Sequence, residues 1–127
     1  MKVVALDFGS ARTGVAVSDE TGTLARPVGI VERAATTAGL DRLVELVAEH
    51  DAALVLVGLP LTLRGERGEQ ARETEAFVDS LRGRLTIPVE TYDERFTTTL
   101  AQQSGGRAPE DAVAAAHLLQ GWLERPR

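Results

Sequence analysis

Hydrophobic positions along this chain of 127 residues change period part-way, and the change divides it in two. Residues 2 to 8 (KVVALDF) hold a continuous apolar run that reads as a buried strand. Gly14 to Ser18 reads as a second strand after a tight turn at Ser10 to Thr13. A turn at Thr21-Gly22 then leads to a third strand over Pro27 to Glu32, so the first part predicts an antiparallel meander. From Thr36 to His50 the period becomes helical, with Leu40, Leu43, Val44 and Val47 on one stripe. Ala53 to Val57 (ALVLV) is short, wholly apolar and stopped by Gly58, the pattern of a strand buried on both faces. Residues 66 to 82 return to helical spacing, with Ala71, Thr74, Val78 and Leu81 on one stripe and Phe77 beside it. Ile87 to Tyr92 is the next strand, and a short helix is expected from Thr97. The last helix runs to about Glu124, with Pro109 suited to its first position. The order β-β-β-α-β-α-β-α predicts an α/β fold with a mixed five-stranded sheet and helices on its faces, in one domain over residues 1–127.

Composition narrows the setting. The chain has no cysteine, which removes disulfides and thiolate metal sites and suits a reducing cytoplasm. No apolar run approaches the ~20 residues that cross a membrane, and the start MKVVALDFG is charged too soon for a signal peptide. The net charge of −5 counts mildly against a nucleic-acid binder. Thirteen of the fourteen basic residues are arginine, however, and arginine grips phosphate and carboxylate with two parallel bonds.

Candidate chemistry lies where elements end. Asp7 closes the first strand, Asp93-Glu94 follows the last, and Asp111 sits in the first turn of the last helix. Each has an ordinary explanation taken alone. Asp7 can satisfy a turn before Gly9, Glu94 can pair with Arg95 at the surface, and an acid is favoured at a helix N-terminus. Together they offer an all-oxygen site suited to Mg²⁺ or Mn²⁺, and two such ions ~4 Å apart support phosphodiester hydrolysis. Adjacent strand residues point to opposite faces, so only one of Asp93 and Glu94 joins such a site. Asp111, Ala115, Leu118 and Trp122 share a helical face, so Asp111 is expected to point toward the sheet, with Trp122 a core anchor and His117 exposed. Two further stretches carry candidate contacts. The loop VGLPLTLRGERGEQ (57 to 70) offers Arg64 and Arg67, either to a phosphate or simply to solvent. In DERFTTT (93 to 99), Thr97 or Thr98 can cap a helix or bond to a phosphate.

Four blocks, LDFGSARTGVAVSD (6 to 19), VGLPL with its two later glycines (57 to 68), YDERFTT (92 to 98) and DAVAAAHLLQGWL (111 to 123), resemble in order the signatures of the YqgF/RuvX family. The resemblance implies an RNase H-like fold and a metal-dependent endonuclease. Its action would be on the 5′ end of the small-subunit (16S) rRNA precursor or, as a resolvase, on Holliday junctions. It also implies that Asp7 bridges two metal ions while Glu94, with Asp93 as rival, and Asp111 hold one each, that a 3′-hydroxyl and a 5′-phosphate are left, and that Arg12 stands near phosphate. Asp19 reads as a turn or capping residue. One departure stands out: the family has a longer lysine- and arginine-rich segment where LAQQSGGRAPE (100 to 110) holds only Arg107. That weakens expected binding unless a ribosomal particle presents the RNA.

Two other classes compete. The first block also resembles the phosphate loop of actin-like and sugar kinases, but those close two such domains around ATP, and nothing here reads as an adenosine site. A non-catalytic module for ribosome assembly or partner binding accords with the acidic charge. A junction resolvase needs two active sites and hence a homodimer, whereas RNA processing is open to a monomer.

Overall fold

The computed structural model describes residues 1–60, 68–93 and 110–126. Its elements are β1 (Val3–Asp7), β2 (Arg12–Ser18), β3 (Ala25–Glu32), α1 (Thr37–Glu49), β4 (Leu54–Leu59), α2 (Glu69–Arg82), β5 (Val89–Asp93) and α3 (Glu110–Glu124). The sheet order is β3-β2-β1-β4-β5. β1, β2 and β3 pair antiparallel, as the meander predicts, while β4 runs parallel to both β1 and β5. The expected mixed five-stranded sheet is therefore present.

Strand alternation sorts the core into two layers. Val4 and Leu6 of β1, with Val55 and Val57 of β4, pack under Leu40 and Leu43 of α1 and Phe77 and Leu81 of α2. Val3, Ala5, Leu54 and Leu56 face the other way, against Ala115, Leu118, Leu119 and Trp122 of α3. Burial on both faces is why β1 and β4 read as unbroken apolar runs. The next step of the alternation puts Asp7 on the α3 side, half-buried rather than enclosed.

The helices follow from their ends. Thr36 caps α1, its hydroxyl accepting the Gly39 N–H at 3.1 Å and donating to the Arg33 carbonyl at 2.7 Å. The Arg82 guanidinium donates to the Val89 carbonyl at 2.7 and 3.1 Å, joining the end of α2 to the start of β5. In α3, Gln120 clamps the β2–β3 hairpin: its amide donates to the Thr23 carbonyl and accepts the Ala25 N–H, each at 2.9 Å.

Boundaries differ from expectation at several points. β2 starts at Arg12, inside the expected turn, because Arg12 and Thr13 already pair with Glu32 and Val31 of β3. β4 does not stop at Gly58 but continues to Leu59, because β5 offers Tyr92 and Asp93 as partners there. β5 begins after Pro88, which has no N–H for the ladder and contributes only its carbonyl, to the Val55 N–H at 3.0 Å. Leu46 rather than Val44 is buried in α1, Ala112 and Leu119 join the buried face of α3, and His117 is half-buried rather than exposed. The short helix expected from Thr97 falls outside the described residues. No helix among the described residues is long and apolar enough to cross a membrane.

Asp19 is the turn residue expected of it. Its carboxylate accepts the N–H groups of Thr23 at 2.8 Å and Leu24 at 3.2 Å and the Thr21 hydroxyl at 2.9 Å. The Thr23 N–H above all, with the other donors behind it, holds the Asp19 pKa below its ordinary value. A depressed folded-state pKa stabilises the fold above the unfolded-state value of about 3.9, and the effect fades as pH falls through the folded-state value. In urea unfolding, the stability gap between wild type and Asp19→Ala is therefore expected to be widest near neutrality and to narrow below about pH 4.

Candidate active site

The C-terminal end of β1 and the first turn of α3 meet over one residue. Asp7 lies directly opposite Gly14 across the β1–β2 pairing. A methyl group placed on Gly14 would stand 1.8 Å from the Asp111 carbonyl oxygen and 2.9 Å from the Ala112 nitrogen. Gly14 therefore has no room for any side chain, and its bare Cα lets the helix backbone rest on the strand. The consequence is geometric: Asp7 and Asp111, more than a hundred positions apart in the chain, border the same glycine on the same face of the sheet.

A guanidinium stands beside them. Arg12 Nε lies 3.2 Å from Asp111 Oδ2, with the arginine side chain 64% exposed and the aspartate 34%. An ion pair this exposed contributes at most about 1 kcal/mol and is readily exchanged. Arg12 can thus neutralise Asp111 or turn toward an incoming phosphate. Asp111 borders the sheet as expected, but its carboxylate is engaged by Arg12 at the site's rim.

Asp93 goes elsewhere. In β5 it follows Val89 and Thr91 in the alternation, and Val89 belongs to the layer under α1 and α2, so Asp93 stands on the face opposite to Asp7. Glu94, Thr97, Thr98 and Arg64 lie outside the described residues, as do Arg67 and Arg107. Among the described residues no three Asp, Glu, His or Cys side chains group closely enough to hold one metal ion. His50 caps the C-terminus of α1, far from this constellation in role and element. Gly14 is the site residue that sequence reasoning passed over. Its signal was a glycine inside a strand pattern, which marks a close backbone approach.

A family model described as "RuvX: Holliday junction resolvase" matches residues 1–125. The chain belongs to the RuvX family. A Chloroflexus aurantiacus relative, named "Putative pre-16S rRNA nuclease", is 39% identical over 134 aligned positions, which cover 98% of this chain and 88% of that one. A Rhodococcus erythropolis protein of the same name is 42% identical, over 95% of this chain and 76% of its own. RuvC from Thermus thermophilus, solved with a Holliday junction substrate, superposes with a TM-score of 0.63 at 18% identity, covering 97% of this chain and 93% of that one. The fowlpox virus resolvase gives a TM-score of 0.61 at 11% identity, covering 98% and 97%. At such identities these two likenesses establish the RNase H-like fold and nothing finer. Family and relatives together make this RuvX protein a member of a nuclease family.

The Gly14 contact predicts its own test. Gly14→Ala is expected to lower stability by about 1–3 kcal/mol in urea unfolding, because the α3 backbone must retreat. Gly29→Ala serves as the control, since a methyl there meets nothing within 4 Å.

Proposed function

We propose that this RuvX protein is a divalent-metal-dependent endonuclease that trims the 5′ end of the small-subunit rRNA precursor, with Asp7, Glu94 and Asp111 as its metal-holding acids. The observation that carries the reading is the meeting of Asp7 and Asp111 on one face over Gly14, beside a releasable Arg12. The oxygen-only donors suit a hard ion such as Mg²⁺ or Mn²⁺, and two are proposed. The placement of Asp93 on the far face favours Glu94 as the third acid. Bound there, the ions supply Lewis acidity and charge neutralisation at the scissile phosphodiester.

The chain's own residues supply the rest. Asp7 ends a strand paired on both sides, so its backbone position is set by the sheet. Arg12, released from Asp111, meets a backbone phosphate, and Arg64, Thr97 and Thr98 hold neighbouring phosphates. The names borne by the relatives support RNA as substrate. The net charge of −5 and the single arginine in residues 100–110 support an RNA presented on a ribosomal particle over a bare duplex held by charge alone. On this reading the protein works in the cytoplasm and needs no second copy.

The test is cleavage, with Mn²⁺, of a labelled RNA spanning the 5′ end of the small-subunit rRNA, run beside a four-way DNA junction. Wild type is expected to cut the RNA, and Asp7→Asn to cut it about a hundredfold more slowly or worse. Mn²⁺ is expected to raise the melting temperature of wild type but not of Asp7→Asn, because only a site with its acids intact binds the ion. Cutting of the junction alone would replace RNA processing with the resolvase reading. Failure to cut either, with no Mn²⁺ effect, would leave a non-catalytic assembly module.

A further inference from the structure

On the sheet face opposite α3, a cavity of about 400 Å³ opens between the β1–β2 turn and α2. That volume lies in the ~300–1,000 Å³ range of small-molecule sites. The rings of Phe8 and Phe77, stacked with centroids 4.3 Å apart and 15° between planes, both line it. Glu73, Ala76 and Ser80 of α2 form one wall and Ser10 the other. A smaller hollow of about 160 Å³ shares Phe8, Ser10 and Glu73 with the first and reaches Asp7 and Pro60. The two form one groove that leads from the proposed catalytic acid along α2.

The chemistry of this groove differs from that of the α3 face. Among the described residues that line it, the charged ones are Glu73 and, at the far end, Asp7, and both are acids, which disfavours a phosphate there. Phe77 is buried behind Phe8, so the half-buried ring of Phe8 is the aromatic surface on offer, and a flat, neutral ring with N–H donors on its edge is what that surface and an acceptor-only carboxylate accommodate. Unpaired RNA bases offer that combination, and proteins read them by stacking and by their Watson–Crick edges.

We infer that the groove between the β1–β2 turn and α2 receives one unpaired nucleobase of the RNA, next to the cleaved phosphate, with Glu73 selecting guanine. This rests on the nuclease reading of the Asp7 site. Guanine presents N1–H and the N2 amino group side by side to a carboxylate. Uracil presents one N–H between two carbonyl oxygens, which repel it. The backbone phosphate then belongs to the α3 side with Arg12, and the base to the α2 side with Glu73.

The test uses nucleotides as probes and needs no catalysis. In ¹H–¹⁵N spectra, guanosine 5′-monophosphate is expected to shift the amides of Ser10, Ala76 and Phe77 at millimolar concentration. Uridine 5′-monophosphate is expected to bind about tenfold more weakly, the worth of one net hydrogen bond. Ala76→Leu, a helix-compatible change at an exposed position, is expected to fill the groove and abolish the shifts with an unchanged melting temperature. Glu73→Gln is expected to erase the preference for guanine. Shifts absent from these amides, equal for both nucleotides, or undiminished in Ala76→Leu would overturn the inference. Loss of RNA cleavage with the guanosine shifts intact would instead overturn the nuclease reading.

Discussion

The contact between Gly14 and the Asp111 backbone is the constraint on which the proposed site depends. A strand position with no side chain lets a helix rest directly on the sheet, and the helix brings its first-turn aspartate to the end of the neighbouring strand. Any side chain at that position would lift the N-terminus of α3 and part the two acids. The rest of α3 is fastened independently of the site. Leu118, Leu119 and Trp122 bury it against the sheet, whose β2, β3 and β1 it chiefly covers, and Gln120 ties it to the hairpin. The helix is thus anchored along its length by apolar burial and aimed at its first turn by a missing methyl group.

That arrangement separates rigidity from exchangeability. Asp7 belongs to a strand hydrogen-bonded on both edges and packed on both faces, so its position is set by the most strongly buried part of the molecule. Arg12 and Asp111 are joined by an exposed ion pair, whose small net worth makes it easy to trade for a metal ion or a phosphate. The proposed role, in which this site binds and releases charged groups, gains from this division. Its frame stays fixed while its charges change partners.

The sheet also divides the surroundings of Asp7 chemically. Toward α3 stand the second acid and the arginine, a setting for ions and phosphates. Toward α2 lies a groove with stacked aromatic rings and the carboxylate of Glu73, a setting for a neutral ring. Strand order produces this division, because β1 lies in the middle of the sheet and its end opens to both layers.

Local pattern alone determined much of this protein. The shift from apolar runs to helical spacing named every described element, because periodicity is written in neighbouring residues and each element buries its own stripe. The four signature blocks identified the family, and the acids at element ends were visible as Asp7 and Asp111. The stripe Ala71, Thr74, Phe77, Val78 and Leu81 is buried as its spacing foretold. Tertiary structure alone decided what depends on distant partners. It set the extension of β4 through Leu59, the placement of Asp93 away from Asp7, the pairing of Arg12 with Asp111, and the role of Gly14. It also joined Phe8 to Glu73 in one groove. These are meetings of residues far apart in the chain, and they follow from sheet order and helix docking, whose energies come from contacts that no local pattern records.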